Sequence, residues 1–441
     1  MSQLLDRFAD PEQAKRIPEI LSGRIPPAPK GKYLHWDELR YRDPPDGLSV
    51  DEWWLAIKFA RASLLRPLPL KDKSGHTFLY AMTDQALELV HRTDRDASGR
   101  IELAEQVTNP SVRDRYIVNS LIEEAITSSQ LEGASTTRKV AKQMLRSGRK
   151  PRDRSEQMIL NNYEAIQYVR TILDEELKPE HVLQLHEIVT RDTLDEPEKA
   201  GTLRTPEDDD VAVYDNDDQK LHHPPPSGEL PQRLRAMCRF ANPRKGEAFV
   251  HPIIRAIALH FWLAYDHPFV DGNGRTARIL FYWSMLSQGY WLFEFVSISR
   301  ILRAAPAQYA RSFLYSETDE NDLTYFILYQ LGVIDRAVRG LHEYLQKKQA
   351  EVRQIESALR QHEGLNYRQL ALLSHALKHP FFRYTIASHR NSHGVVYQTA
   401  RTDLIGLAKK GLLEQDKVGQ SYVFYPVSGL SEILKTGATS G

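Results

Sequence analysis

Three observations predict a mainly α-helical fold for this sequence. Apolar residues recur at helical spacing through most of the chain from Val112 onward. A short strand-like segment, residues 211–214, lies between two acidic runs and indicates an exposed β-hairpin. Near the C-terminus two helical segments precede two short strands, an order typical of a winged helix-turn-helix.

The composition is that of an ordinary globular protein, with 441 residues, of which 41% are hydrophobic and 26% charged. Its formal net charge of zero argues against attraction of the whole protein to nucleic acid, although it allows a local basic patch. The lone Cys238 excludes an internal disulfide and a cysteine-based zinc site. We find no signal-peptide core and no membrane-spanning apolar stretch, so we expect a cytoplasmic protein without a membrane partner.

We expect three regions along the chain. Residues 1–109 form a mainly helical N-terminal region of unknown role, in which Ser49 and Glu52 have capping-box spacing. Residues 110–345 form a helical core, and residues 346–441 form the winged helix-turn-helix. The predicted helices cover residues 153–173, 179–192, 228–242, 253–265, 274–289, 322–359, 366–378 and 397–410.

The segment between two of these helices carries the candidate chemistry. It begins His-Pro-Phe-Val-Asp-Gly-Asn-Gly-Arg at His267 and continues to Arg278. Its two glycines allow positive φ angles, so that successive backbone N–H groups can turn toward one anion at a helix N-terminus. Arg275 and Arg278 add fork-shaped donors suited to phosphate oxygens.

Two further side chains complete this segment. Asp271 offers the hard carboxylate that Mg²⁺ prefers beside substrate phosphates, and His267 offers a base that is neutral near pH 7. A base, a metal ligand, an anion site and two guanidinium groups are the parts needed for attack of a hydroxyl on a nucleotide phosphate.

The segment resembles, residue for residue, the signature of the Fic (Fido) family, His-Pro-Phe-x-Asp/Glu-Gly-Asn-Gly-Arg-x-x-Arg. The resemblance covers residues 112–344, and residues 201–205 and 222–226 are similar to the borders of the family's flap hairpin. It implies a Fic-fold helical core with a small β-hairpin flap. It also implies Mg²⁺-dependent transfer of AMP from ATP to a Ser, Thr or Tyr hydroxyl of a target protein or of the chain itself.

The resemblance also implies a role for each residue of the loop. His267 would deprotonate the target hydroxyl, and Asp271 would hold Mg²⁺. Arg278 would contact the γ-phosphate. The remaining phosphate contacts would come from the backbone of the loop, the Asn273 side chain and one arginine: Gly272, Asn273, Gly274 and Arg275. The flap edge formed by Val211, Ala212 and Val213 would pair with an extended target segment.

A second, shorter motif lies upstream, from Ser128 to Gly133. Taken alone, Glu132 is a solvated glutamate at a helix C-terminus, where the helix dipole disfavours it, and Gly133 is a C-cap. The segment also resembles the family's inhibitory pattern, Ser/Thr-x-x-x-Glu-Gly/Asn. That resemblance implies that Glu132 pairs with Arg278 and blocks the γ-phosphate site.

Two other functions remain open. One is the reverse enzyme of the same fold, in which Glu132 positions water to remove AMP from a target. The other is a DNA-binding regulator whose Fic-like core senses nucleotide and catalyses little, and in which Gln398, Arg401 and Lys409 face DNA. Because Asp403 opposes the positive charge of this helix, we favour a protein partner or a second copy of the chain over DNA.

The histidines outside the loop show no recognised zinc spacing. We therefore expect flap-border and helix-surface roles for His222, His223, His251 and His260.

Overall fold

The computed structural model describes residues 15–22, 25–97, 110–214, 220–361, 364–418 and 421–437. The chain divides into two compact units, residues 1–101 with 117–339 and residues 102–116 with 340–441. The N-terminal region and the central helices thus share one unit, and our three-region division of the sequence stays a prediction.

The N-terminal part of the first unit combines short helices with a two-stranded sheet. Its elements are α1 (Ile17–Ser22), α2 (Trp36–Leu39), α3 (Val50–Ala62), β1 (Leu65–Lys71), β2 (Thr77–Ala81) and α4 (Asp84–Ala97). The capping box before α3 is confirmed, since Glu52 N donates to Ser49 Oγ and Ser49 N donates to Glu52 Oε2. The antiparallel β1–β2 pair was not predicted, because Pro67 and Pro69 break the strand pattern of β1.

The central helices include the six segments predicted between residues 153 and 359, each to within a few residues, and also helices at residues 138–147, 298–304 and 306–318 that were not predicted. They are α5 (Pro110–Leu131), α6 (Arg138–Ser147), α7 (Arg154–Thr171), α8 (Pro179–Thr190), α9 (Leu230–Ala241), α10 (Pro252–Asp266), α11 (Asn273–Ser287), α12 (Ile298–Ala304), α13 (Pro306–Thr318) and α14 (Thr324–Gln361). Helix α10 packs against α9 and α11, and α11 packs against α7 and α8. Helices α10 and α11 are largely buried along their length, as expected for helices at the centre of a core.

The predicted hairpin between α8 and α9 is confirmed. Strands β3 (Val213–Tyr214) and β4 (Lys220–His222) pair antiparallel, with Val213 opposite His222. Residues 215–219, which contain the second acidic run, lie outside the described residues. Val211 and Ala212 lead into β3, and all three residues of the predicted flap edge are half-buried.

The second unit contains a small domain with a three-stranded sheet. Its elements are α15 (Tyr367–Lys378), β5 (Tyr384–Thr385), α16 (Ile386–His393), α17 (Tyr397–Lys409), β6 (Leu413–Val418), β7 (Ser421–Pro426) and α18 (Leu430–Gly437). The antiparallel sheet has the order β5-β7-β6. Helix α16 and strand β5 were not predicted, because α16 is short and rich in His, Ser and Asn. The winged-helix assignment stays a prediction.

In the described part of the chain, we find no helix that combines the length and apolar character needed to cross a membrane.

Candidate active site

The loop between α10 and α11 is framed by two residues with left-handed backbone. His267 ends α10 with φ of 43°, and its N–H donates to Leu263 O at 3.0 Å. Gly272 precedes α11 with φ of 83°. A Cβ on Gly272 would lie 2.6 Å from Thr190 Cγ2, so both the backbone angle and the available space require glycine here.

Phe269 and Asn273 close the loop from inside. Phe269 is fully buried. Asn273 Oδ1 accepts from Phe269 N at 3.0 Å, and Asn273 Nδ2 donates to Phe269 O at 2.7 Å. Both ends of this buried amide therefore hold the loop, whereas the resemblance implied that the Asn273 side chain contacts phosphate. A buried amide needs hydrogen-bond partners, and the backbone of Phe269 supplies them.

Asp271 and Arg275 lie one turn apart at the start of α11. The side chain of Asp271 is 47% exposed, and its Oδ1 accepts from Gly272 N at 2.5 Å. Arg275 is fully buried, donates to Val189 O at 3.0 Å, and lies 3.4 Å from Asp271 Oδ2. Within the described residues, Arg275 Nε has no hydrogen-bond partner. A buried guanidinium with a spare donor beside an accessible carboxylate suits a site for a phosphate and a cation.

Arg278 joins α11 to the segment that precedes Gly133. Its Nε donates to Ser128 Oγ at 2.8 Å, and its Nη2 donates to Ser128 O at 2.9 Å. Nη2 also donates to Glu132 Oε1 at 2.9 Å. Arg278 is buried, whereas the Glu132 side chain is 28% exposed. The ion pair implied by the resemblance is therefore present in the structure.

The Glu132 carboxylate also lies against the backbone of the loop. A Cβ built on Gly274 would overlap this carboxylate. Helix α5 ends at Leu131, and Gly133, with φ of 91°, turns the chain away from it. The carboxylate thus lies at the N-terminus of α11, where backbone N–H groups and the helix dipole favour an anion. The Glu132 carboxylate thereby places a negative charge at this helix N-terminus.

The side chain of His267 is half-buried, and its surroundings favour the neutral form of the imidazole. Burial lowers the pKa of its imidazole from 6.5 to about 4, and the nearby charges of His222 and Arg204 act in the same direction. A hydrogen bond between the ring and the Ala264 backbone acts in the opposite direction. A neutral imidazole near pH 7 is the state that a general base requires.

Arg204 ties the flap borders to the loop. Its backbone N–H donates to Pro268 O at 2.9 Å, and its Nε donates to His267 O at 2.7 Å. Its Nη2 donates to Pro225 O at 3.0 Å. Of the two segments that resemble flap borders, residues 201–205 are therefore bonded to His267 directly, and residues 222–226 are linked to it through Arg204.

His186 is a residue of the site that the sequence analysis missed. Its fully buried ring stacks on Phe269, with centroids 3.7 Å apart. Nδ1 accepts from Gly201 N at 3.0 Å, so Nε2 carries the proton and donates to Asp271 O at 2.8 Å. Burial lowers its pKa to about 4. Its only sequence signal was a polar residue on the apolar face of α8, which does not indicate what it contacts.

The helix-surface role expected for His260 is wrong. His260 is fully buried, its Nε2 lies 2.7 Å from Tyr309 Oη, and burial lowers its pKa to about 3. The apolar spacing of α10 continues around the whole helix, which leaves no exposed face for this residue. His222 does lie at the flap border, where Nε2 is 2.7 Å from Tyr265 O, and His251 caps α10.

Among the described residues, no group of three or more His, Cys, Asp or Glu is arranged to hold a metal ion. One carboxylate such as that of Asp271 can hold Mg²⁺ when substrate phosphates and water complete the coordination of the ion. The site brings together a neutral imidazole, one accessible carboxylate, a helix N-terminus and two buried guanidinium groups.

The site lies in the part of the chain that matches a known protein family. A model described as "Fic/DOC family" matches residues 176–285, which include α8, the flap, α10 and the loop. "Protein adenylyltransferase Fic" of Nematostella vectensis is 30% identical over 135 residues, 30% of this chain and 29% of that protein. Its namesake in Drosophila melanogaster is 38% identical over 69 residues, 16% of this chain and 14% of that protein. The matches thus span less than a third of either relative.

A solved structure matches over a longer stretch. The crystal structure of a Fic family protein from Desulfovibrio desulfuricans superposes with a TM-score of 0.53 at 18% identity. The match covers 79% of this chain and 98% of that chain. At this identity the likeness supports the fold.

Proposed function

We propose that this chain, whose residues 176–285 match the Fic/DOC family, transfers AMP from ATP to a Ser, Thr or Tyr hydroxyl of a target protein, and that Glu132 holds it inactive. One observation carries the proposal. The Glu132 carboxylate is bonded to Arg278 and lies against Gly274, at the N-terminus of α11. An ATP that offers its γ-phosphate to Arg278 must displace this carboxylate, because both compete for the same donors.

In the proposed reaction the target hydroxyl oxygen forms a bond to the α-phosphorus, and the bond from that phosphorus to the pyrophosphate oxygen breaks. The hydroxyl proton passes to the neutral imidazole of His267. The backbone N–H groups at the start of α11, with Arg275 and Arg278, stabilise the charge on the phosphate oxygens. Pyrophosphate leaves with the electron pair of the broken bond.

The residues present fit Mg²⁺ and ATP. Asp271 is the accessible carboxylate of the loop, and Arg275 beside it keeps a buried Nε donor that has no partner in the described part of the chain. Bound Mg²⁺ would neutralise phosphate charge. His186 holds the backbone carbonyl of Asp271, so it orients the residue that would hold the ion.

The target would be presented by the flap. Strand β3 uses one edge to pair with β4, and Val211 and Ala212 extend the chain before it. An extended target segment can add to this edge through main-chain hydrogen bonds, which need little side-chain specificity. The same geometry allows a segment of another copy of this chain to be modified.

The test compares wild-type protein with Glu132→Gly and with Glu132→Gly combined with His267→Ala, each incubated with ATP labelled at the α-phosphate. We expect label on the chain or on a lysate protein to rise well above wild type in Glu132→Gly and to disappear in the double variant. No gain in Glu132→Gly would refute the inhibitory role of Glu132.

A reverse activity is a second candidate. Arg278 donates a hydrogen bond to Oε1 of Glu132, while 28% of the Glu132 side chain is exposed to solvent. An accessible carboxylate at this position can also orient water toward an AMP-modified hydroxyl. Wild-type protein would then strip AMP from a modified target, and Glu132→Gly would lose that ability. Measuring both directions on one purified target separates the two activities.

DNA binding by the second unit is favoured by one correction to the sequence analysis. Asp403 does not oppose the surface charge of α17, because it is buried and bonded to Arg368 at 2.6 Å. Residues 364–437 contain nine Lys or Arg and four Asp or Glu, and the exposed side of α17 includes Gln398 and Lys409. A cationic helix surface can bind phosphate, and such binding weakens as salt increases.

A mobility assay at two salt concentrations tests this candidate. Arg401→Glu with Lys409→Glu should abolish the binding of duplex DNA. The control, Lys139→Glu with Lys245→Glu, makes the same change of net charge at exposed positions of the first unit and should preserve binding. Equal binding by both variants would remove DNA as a partner of α17.

A further inference from the structure

Helices α5 and α11 meet along two rows of residues with matching spacing. On one side Glu124, Ser128 and Glu132 follow each other at intervals of four residues. On the other side Gly274, Arg278 and Tyr282 have the same interval and run in the opposite direction. Residues four apart lie on one face of a helix, so the rows can bond at successive turns.

Each turn of these rows has its own contact. The Glu132 carboxylate meets Arg278 and the backbone of Gly274, and Ser128 accepts two hydrogen bonds from Arg278. Two turns from Glu132, Glu124 Oε2 accepts from Tyr282 Oη at 2.9 Å. The third contact lies away from the loop, in the interior of the first unit.

Glu124 is surrounded by donors from elements other than its own. Besides Tyr282, its Oε2 accepts from Ser297 Oγ at 2.7 Å and from Ser299 N at 3.1 Å. Ser299 Oγ donates to Oε1. Glu124 is 3% exposed, Tyr282 is 4% exposed and Ser299 is fully buried. A carboxylate can be buried at this depth only where several hydrogen bonds replace its water.

We propose that Glu124 is a positioning residue that fixes the register of α5 on α11, and thereby holds Ser128 and Glu132 on Arg278. This inference rests on the proposed inhibitory role of Glu132. A shift of α5 along α11 by one turn would carry Glu124 away from all four donors. The inhibitory segment is thus fastened at a point that ATP does not touch.

We expect the hydrogen bonds of Glu124 to affect AMP transfer only through Glu132. When Glu132 is absent, their loss should have no effect. Loss of the Glu124 anchor loosens the arrangement in which Glu132 competes with the γ-phosphate. Where Glu132 is already absent, the same loss has no competitor to release. Residues that act through one another show such non-additive effects, whereas independent residues do not.

The experiment makes Glu124→Ala and, from the other side of the contact, Ser299→Ala, each with Glu132 present and in the Glu132→Gly background. Two quantities are measured on the full-length chain with Mg²⁺: the rate of AMP transfer, and the affinity for ATP relative to ADP. ADP has no γ-phosphate and therefore does not compete with Glu132 for Arg278. We expect each variant to raise transfer and the ATP preference about tenfold with Glu132 present. Neither should change in Glu132→Gly.

Two controls separate positioning from loss of stability. Glu124→Gln keeps an oxygen for the donors around Oε2 and an amide that can donate to Ser299 Oγ, so it should stay closer to wild type than Glu124→Ala. Ile57→Val removes one methylene from a buried cluster with Trp53 and Trp54, which lowers stability without touching these rows. It should raise neither quantity.

Each outcome decides the proposal. It is overturned if Glu132→Gly gains transfer and ATP preference while Glu124→Ala and Ser299→Ala do not. It is also overturned if the two variants change both quantities equally in both backgrounds, because Glu124 would then act independently of Glu132. If Glu132→Gly itself gains neither quantity, the proposed inhibition fails first and the role of Glu124 fails with it. Failure of Glu124→Ala to fold leaves Ser299→Ala as the deciding variant.

Discussion

The carboxylate of Glu132 lies against the backbone of Gly274, at the point that a Cβ of residue 274 would occupy. The two residues are 142 positions apart in the chain, and they meet where α5 ends and α11 begins. Gly274 has a helical backbone without positive φ, so the neighbouring carboxylate, and not its own dihedral angles, explains why a side chain is excluded here.

This contact predicts opposite effects of Gly274→Ala in two backgrounds. With Glu132 present, the new methyl group overlaps the carboxylate and should lower the free energy of unfolding. In Glu132→Gly the nearest remaining atom is Arg278 Nη1, 3.0 Å away at the flexible end of its side chain, so the higher helix propensity of alanine should dominate and stabilise by up to about 1 kcal/mol. Chemical unfolding of wild type, Gly274→Ala, Glu132→Gly and the double variant measures both effects. An equal loss of unfolding free energy on adding Gly274→Ala in both backgrounds would contradict this account.

Replacement of His267 should remove AMP transfer and leave nucleotide binding. Because His267 has φ of 43°, His267→Asn is a better variant than His267→Ala, since asparagine tolerates left-handed backbone. In the Glu132→Gly background we expect transfer to fall ~10²–10⁴-fold, the usual effect of losing a general base. Affinity for ATP, measured by calorimetry, serves as the control. A His267→Asn protein with full transfer activity would exclude His267 as the base.

Replacement of Asp271 should remove the effect of Mg²⁺ on nucleotide binding. Asp271→Asn keeps an acceptor for Gly272 N but removes the charge that attracts a divalent cation. In Glu132→Gly we expect ATP to bind more tightly with Mg²⁺ than with a chelator. With Asp271→Asn added, the two affinities should become similar. An unchanged response to Mg²⁺ would mean that Asp271 does not hold the ion.

The buried histidines predict that stability falls in acid. Burial lowers the pKa of His186 to about 4 and that of His260 to about 3, from 6.5. Unfolded chains therefore bind protons first as the pH falls, so this stability is full above about pH 6.5 and is lost toward pH 4. His186→Gln and His260→Gln should each be less stable at pH 7 but lose less stability between pH 7 and pH 5 than wild type. Parallel losses, measured by chemical unfolding, would contradict the prediction.

A proline in the flap should separate target modification from ATP binding. Ala212 leads directly into β3, so Ala212→Pro removes an N–H from the edge that we expect to pair with the target. Ala212→Gly keeps the N–H and is the matched control. In Glu132→Gly we expect Ala212→Pro to reduce modification of the target at unchanged ATP affinity. If both variants modify the target equally, the target does not pair at this position.

The sequence was sufficient where structure depends on neighbouring residues. Gly272, with its positive φ, the capping box at Ser49 and the helices on either side of the loop follow from backbone preferences and apolar spacing over a few residues, whereas the predicted positive φ of Gly274 is wrong. The sequence did not predict β1, because its prolines are unusual in a strand, or α16, because its apolar residues show no helical spacing.

The candidate loop could be recognised from the sequence because its chemical groups lie within twelve consecutive residues, from His267 to Arg278. The residues around Glu132 predicted only a solvated glutamate at a helix end, and only the resemblance indicated Arg278 as its partner. The tertiary structure decided that Glu132 lies on Arg278, that His186 holds Asp271, and that Glu124 is buried among donors. Those partners lie 146, 85 and 158 residues apart, so their contacts depend on how whole helices pack and not on local backbone preference.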